Sequence, residues 1–175
     1  MNTKSFNSLL DFSEHLFKAA TAEIFAVHAG LELSAKLIQA DAKHQLGHLQ
    51  PQVGPFPEWE ELADSTKADK ERNDYVFNAD YNPLVRTGEL MNSIEYEVNM
   101  SALEAIIGTK NIIGAYQEFG TKNIPPRPFM GTAAFKLGPI IAKLLGKAII
   151  IGIGAGKDIK EEIGRELGYI QDIQL

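Results

Sequence analysis

The chain has 175 residues, a mass of 19.2 kDa and a formal net charge of −6, with a pI near 5.2. The acidic balance and the absence of a run of Lys or Arg argue against direct contact with nucleic acid, which requires a basic surface. The chain contains no cysteine, which excludes disulfides, thiol catalysis and cysteine-ligated metal. Its partners are therefore expected to be proteins.

The length predicts a single domain, residues 1–175. Residues 1–46 are expected to form an N-terminal helical arm, because apolar residues recur at three- and four-residue steps from Phe6 to Ala42. Gly30 interrupts this stripe, so the pattern fits one bent helix or two stacked helices, and we favour one helix with a flexible point. A helix of roughly 35 residues would be about 50 Å long. Part of its apolar face is thus expected to need a neighbouring chain.

Residues 47–82 are interpreted as a connector, because proline and asparagine are frequent there. The charged segment 59–74 predicts no more than one short helical turn within it. Trp59 is expected to fix the connector to the core, since tryptophan side chains are mostly buried.

Residues 83–152 are interpreted as a core region followed by a C-terminal helix. Thr87 is predicted to cap a short helical turn in which Leu90 and Ile94 share one face. From residue 94 to residue 100 apolar and polar residues alternate, which predicts a strand with one buried face. Residues 103–108 are its predicted antiparallel partner.

No regular element is predicted between Gly108 and the prolines at 125, 126 and 128. A final helix is predicted from about Gly131, broken or kinked at Pro139 and ended by the glycines from Gly152 onward. Its apolar window is too short and too charged for a membrane span. Residues 153–175 form a C-terminal extension, with a short polar helix expected in 158–167. The predicted class is α+β, with long N-terminal and C-terminal helices packed on a small, mostly antiparallel sheet.

The segment Pro125–Phe129 has two interpretations. Its three prolines fix an extended backbone, which holds Arg127 and Phe129 in a defined direction. In one interpretation Phe129 fills the core and Arg127 pairs with Glu118. In the other, Arg127 and Phe129 are contact residues of a protein interface, because such residues are preferred there.

Catalytic constellations are incomplete in the sequence. His44 and His48 have a spacing that could place two imidazoles on one metal, but no third ligand lies close in sequence. All four histidines lie in the N-terminal 48 residues, away from the core region. We therefore expect no enzymatic activity, no metal and no cofactor.

Three segments occur in order within residues 83–134, namely PLVRTGELMNSI, IIGTKNIIGAYQEFGT and IPPRPFMGTAA. In order and spacing they resemble the small tail-completion or head-to-tail joining proteins of long-tailed bacteriophages, which include the phage Mu-type virion morphogenesis family. The residues that carry the motif are Thr87, Gly88, Leu90, Ser93, Tyr116, Glu118, Phe119, Gly120, Thr121, Pro126, Arg127, Pro128 and Phe129.

This resemblance implies a structural virion protein of a phage, prophage or phage-like particle. Such a protein would form a ring, commonly of six copies, at the tail end or neck of the virion. Its partners would be further copies of itself, the head connector or adaptor, and tail tube or tail terminator proteins. It would be made in the bacterial host cytoplasm. The alternatives are a tail-assembly factor that is absent from the mature particle and a cellular metal-dependent enzyme.

Overall fold

The structure, a computed structural model, describes residues 5–153. The C-terminal extension after Ile153 lies outside the described residues, as does the short polar helix expected in it. The elements are α1 (Leu9–Gln45), α2 (Asp64–Arg72), α3 (Glu89–Asn92), β1 (Ile94–Asn99), β2 (Glu104–Thr109), α4 (Ile112–Phe119) and α5 (Met130–Ile153). The two strands form an antiparallel sheet. The predicted α+β class, with long helices at both ends, is confirmed.

The chain divides into two compact units, and both long helices contribute to each. Within residues 5–153, the first unit contains the chain up to Ser34, the hairpin tip Val98–Glu104 and the part of α5 from Ile140. The second contains Ala35–Glu97 and Ala105–Pro139. All the motif residues belong to the second unit.

In the first unit, α1 and α5 approach closely at glycines. A methyl group at Gly30 would lie 3.2 Å from both Ala148 Cβ and Leu145 Cδ2, and one at Gly152 would overlap the backbone of Glu23. Helix α1 is continuous through Gly30, as favoured from the sequence. The glycine is a position of close helix contact, and its missing side chain is what permits that approach.

The N-terminal part of α1 carries exposed apolar side chains. We call this set the α1 apolar face. Its members are Leu9, Leu10, Phe12, Leu16, Phe17, Ile24 and Phe25. Because these side chains are exposed, the expectation that part of this face needs a neighbouring chain stays a prediction.

The core of the second unit joins α1, the connector, α3, β1 and α5. Its buried residues are Ala42, Leu46, Trp59, Leu90, Ile94, Phe129 and Ala133. Trp59 is buried, as expected, and its Nε1 donates to the carbonyl of Pro128 at 3.3 Å. Leu90 and Ile94 are both buried, but Ile94 begins β1, so the prediction that they share one helical face is wrong.

Two local predictions before β1 are wrong. The connector contains a nine-residue helix, α2, where at most one turn was predicted. Lys70 on this polar helix donates hydrogen bonds to three backbone carbonyl oxygens of residues 81–85, and these tertiary contacts, which the sequence pattern does not show, stabilise the helix. Thr87 does not cap α3. Gly88 occupies the N-cap position with φ of 83°, and no side chain caps the helix, because this left-handed conformation suits glycine.

Helix α4 was not predicted, although its start has a capping residue. Asn111 Oδ1 accepts from the backbone N–H of Ile113 at 3.0 Å. Gly114 is buried, and a methyl group there would overlap Thr109 and lie 3.3 Å from Leu90 Cδ1. Packing therefore requires glycine, a residue of low helix propensity, at this position. Because of this glycine, the sequence pattern does not predict a helix here.

Helix α5 continues through Pro139, so of the two predicted alternatives a break is wrong and a kink stays a prediction. A proline inside a helix costs about 3 kcal/mol. Leu137 and Leu144, on either side of it, are buried, and their packing offsets this cost. No helix in residues 5–153 has the length and apolarity that a membrane span requires.

Candidate functional site

The centre of the motif region is a contact between α4 and the start of α5. Glu118 Oε2 accepts from the backbone N–H groups of Phe129 at 2.8 Å and Met130 at 2.9 Å, and Oε1 accepts from that of Gly131 at 2.7 Å. The first N–H groups of a helix have no partner within the helix, and a carboxylate interacts favourably with that end of the helix dipole. Glu118 thus caps α5 from a distant position in the sequence.

Arg127 does not pair with Glu118, so that part of the first interpretation is wrong. Its Nη2 donates to the carbonyl oxygens of Glu60 at 2.9 Å and Glu61 at 3.2 Å. Its backbone N–H donates to the carbonyl of Gln117 at 2.6 Å. Burial lowers the pKa of the Arg127 guanidinium, and the charge of Glu60 opposes this effect. Arg127 therefore joins the connector to α4 from inside the fold.

Phe129 is 1% exposed and Arg127 is 5% exposed. The interpretation that Phe129 fills the core is confirmed. Neither side chain is available to a partner protein in this conformation. Any contact surface in the motif region must consequently be formed by other residues.

Apolar residues of the second motif segment remain exposed on the outer face of α4. Ile112, Tyr116 and Phe119 are spaced four and three residues apart, which places them on one face of the helix. Their side chains are 61%, 47% and 81% exposed. We call these three residues the α4 stripe. The opposite face of the same helix carries buried Gly114 and the capping carboxylate of Glu118.

The other motif residues shape the backbone. Gly120 has φ of 73°, and a methyl group there would lie 3.0 Å from Ile124 O and Pro126 N. Thr121 donates its N–H to Ile124 O at 2.9 Å, which closes the turn after α4. Ser93 Oγ lies 2.6 Å from Thr109 Oγ1, joining the end of α3 to the end of β2.

Pro128 is also a structural position. Its carbonyl accepts from Thr132 Oγ1 at 2.9 Å as well as from Trp59. Gln45 Oε1 accepts from the same hydroxyl at 2.5 Å, and Gln45 Nε2 donates to Asp41 Oδ2 at 2.7 Å. Lys136 Nζ lies 2.8 Å from the other carboxylate oxygen of Asp41. This chain of polar contacts, buried except at the exposed Lys136, connects α1 to α5, and no sequence motif indicated it.

A cleft of about 710 Å³ lies in the second unit and is lined in part by motif residues. Its walls come from the connector (residues 60–70), the segment before and into α3 (84–90), α4 with its cap, and residues 123–127. We call it the motif cleft, because Thr87, Gly88, Leu90 and Arg127 line it. Pro126 lies next to this lining.

Lys70 holds one wall of the motif cleft. Its Nζ donates to the carbonyl oxygens of Tyr81 at 2.8 Å, Asn82 at 2.6 Å and Val85 at 2.6 Å, which uses all three of its donors. Tyr81, Asn82 and Leu84 have φ of 59°, 51° and 60°, a conformation that costs free energy for residues other than glycine. Burial lowers the pKa of Lys70, and the nearby charge of Arg86 lowers it further. The lysine stabilises a strained loop that sequence patterns did not reveal.

The histidine pair has no metal-site geometry. Helix α1 ends at Gln45, so His48 lies outside it and the helical spacing with His44 is lost. His48 Nδ1 is instead 3.8 Å from Asp80 Oδ2. In residues 5–153 no group of three or more His, Asp or Glu side chains is arranged to hold a metal ion.

The chain matches no protein-family model, no curated protein and no solved structure. The resemblance of its three motif segments to phage joining proteins therefore stays a prediction.

Proposed function

We propose that this chain is a structural virion protein that completes the tail end of a bacteriophage and joins it to the head connector as an oligomeric ring. The observation that carries the proposal is the α1 apolar face, which adds to the ordered motif segments. An apolar surface of this kind marks a protein interaction site when it is contiguous. Burying a large apolar side chain contributes about 1.5–3 kcal/mol, so several of them supply a strong driving force for association.

The length of α1 favours contact with a neighbouring copy. The helix has 37 residues, which corresponds to about 55 Å. A closed ring requires that one surface of each subunit meet a different surface of the next. In the proposed arrangement the α1 apolar face supplies one of these surfaces, and the resemblance gives six as the expected number of copies.

The α4 stripe is the proposed contact with the head connector or the tail. It stands on a helix that is fixed from behind by Glu118 and by the close packing of Gly114. Rigid presentation lowers the entropy cost of binding. The buried motif residues Arg127 and Phe129 have a supporting role in this proposal, because they hold α4 and the start of α5 in place.

Self-association is tested by sedimentation velocity over a concentration series, with and without purified head connectors. A chain carrying Leu16→Ser and Phe17→Ser should sediment as a smaller species than the wild type. Lys18→Ser, on the adjacent exposed position, is the matched control and should behave as the wild type. Circular dichroism must show that all three proteins are folded. A wild-type chain that stays monomeric even with connectors present would contradict the proposal.

A tail-assembly factor that leaves before maturation is the second candidate, because the same exposed surfaces would serve it. Quantitative mass spectrometry of purified particles separates the two. A structural protein is present in a fixed number of copies per particle, and a transient factor is absent.

A further inference from the structure

The course of α5 beside α1 sets the direction in which the chain leaves the first unit. Gly30 of α1 faces Ala148 of α5, and Glu23 faces Gly152 near the end of α5. Residue numbers on α5 therefore rise as those on α1 fall, so the two helices are antiparallel here. A continuation of α5 in the same direction would pass from Glu23 toward the N-terminal end of α1.

The side of α1 that meets α5 continues into exposed apolar side chains. Steps of four and three residues keep to one side of a helix. From Gly30 toward the N-terminus, such steps lead through positions 26, 23 and 19 to Leu16, Phe12 and Leu9. These three side chains are 51%, 40% and 83% exposed, although the ring of Phe6 contacts that of Phe12. We call Leu9, Phe12 and Leu16 the open seam.

The sequence after α5 has apolar residues at the positions that would face the open seam. Antiparallel helices rise by the same distance per residue, so equal counts from a facing pair lead to further facing positions. Counting on from Gly152 and back from Glu23 pairs Ile159 with Leu16, Ile163 with Phe12, and Leu167 with Leu9 to within one position.

The composition and length of this segment also suit the open seam. Ile159, Ile163 and Leu167 are four residues apart, which is the spacing of one helical face. Apart from Gly164, the other residues of 157–166 are all charged, so a helix here would have one narrow apolar stripe. The 22 residues after Ile153 would span about 33 Å as a helix, more than the roughly 21 Å of α1 between Glu23 and Leu9.

We propose that residues 157–168 of the same chain bind along the open seam as a helix that continues the direction of α5. The chain's own segment is the occupant because it starts at the end of the open seam, which gives it a high effective concentration there. Leu10, Phe17 and Ile24 are exposed at seven-residue steps on another side of α1. They stay available to a neighbouring chain, so the inference does not depend on the proposed ring.

Disulfide trapping tests the proposal, because the full-length chain contains no cysteine of its own. One variant carries Leu16→Cys and Ile159→Cys, and a second carries Phe12→Cys and Ile163→Cys. The control carries Lys18→Cys and Ile159→Cys, since Lys18 is exposed on a different side of α1. A disulfide requires Cα atoms within about 7 Å. In dilute solution, both test pairs should form an intramolecular disulfide at least about tenfold faster than the control.

A labelling experiment gives a second readout with single cysteines. The thiol of Leu16→Cys should react slowly with a maleimide when the segment covers it. Adding Ile163→Ser should raise this rate several-fold, whereas adding Glu161→Ser, on the charged side of the segment, should leave it unchanged. Circular dichroism must show that each variant is folded.

Three results would overturn the proposal. Equal, slow disulfide formation in the test pairs and the control would show that the segment does not lie on the open seam. Linked dimers in place of linked monomers would assign the open seam to a second copy. Equal labelling rates with Ile163→Ser and Glu161→Ser would remove the assigned contact. None of these results would prevent the ring that sedimentation tests.

Discussion

Replacement of Glu118 is the most informative single change in this fold. Glu118→Ala leaves the N–H groups of Phe129, Met130 and Gly131 without their acceptor. Loss of a helix cap costs about 1 kcal/mol, and loss of a carboxylate at the positive end of the helix dipole costs about 0.3–1 kcal/mol. A further buried donor left unpaired adds about 1–3 kcal/mol. The free energy of unfolding should therefore fall by about 2–5 kcal/mol.

Glu118→Gln should have a smaller effect. The glutamine amide retains one oxygen acceptor. Its NH₂ group, however, takes the place of the carboxylate oxygen that accepts from the Gly131 N–H in the wild type, so that hydrogen bond is lost. We expect a loss of about 1–2 kcal/mol, since part of the cap survives and the charge does not. The order wild type, Gln, Ala separates the contribution of the charge from that of the hydrogen bonds.

The assay is urea unfolding followed by tryptophan fluorescence. Trp59 is the only tryptophan in the chain, and its indole donates to Pro128, beside the residues that Glu118 caps. Glu14→Ala, at an exposed position of α1, is the control and should change the unfolding free energy by less than about 0.5 kcal/mol. If Glu118→Ala were no more destabilising than this control, the capping role would be refuted.

Three further changes test the packing and the electrostatics. Phe129→Ala should destabilise the chain by about 3–5 kcal/mol in urea unfolding, whereas Phe119→Ala, on the exposed α4 stripe, should change stability by less than about 0.5 kcal/mol; equal effects would contradict the assigned burial. Gly152→Ala should lower the thermal midpoint of unfolding, because the added methyl group overlaps α1. Gly146→Ala has open space around it and should raise the midpoint, because alanine has a helix propensity about 1 kcal/mol more favourable than glycine. The reverse order of the two midpoints would refute the close contact. Burial lowers the pKa of Lys70 from 10.5 in the folded chain. As the pH approaches 10.5, the Lys70 amine of the folded chain therefore loses its proton before that of the unfolded chain does. The unfolding free energy of the wild type should therefore rise with pH relative to Lys70→Met in that range, and a difference independent of pH would contradict the role of burial.

The sequence predicts those elements whose signal is local. The apolar stripe of α1 and the alternation from Ile94 onward reflect periods of 3.6 and 2, which burial of one face imposes on the sequence. Helix α4 is hidden because its most buried residue is Gly114, chosen by contact with Leu90 and Thr109 and not by helix propensity. The sequence shows a glycine at this position, but it does not show the packing contacts that require it.

The candidate site was predictable only as a set of residues. The motif segments include Glu118, Arg127 and Phe129, yet their roles depend on contacts across 11 to 67 positions of the chain. Sequence spacing could not distinguish a carboxylate that pairs with Arg127 from one that caps a helix. The burial of Lys70 could not be predicted from the sequence either, because its hydrogen-bond partners are backbone carbonyls, which carry no sequence signature.

We propose the neck of a virion as the location of this chain, and its position on purified particles tests this proposal most directly. Immunogold electron microscopy with an antibody against the chain should label intact particles at the junction between head and tail. The label should be lost from particles produced without the gene, which should also contain separate heads and tails. Intact, joined particles that carry no label at the neck, and that form equally well without the gene, would contradict the joining role.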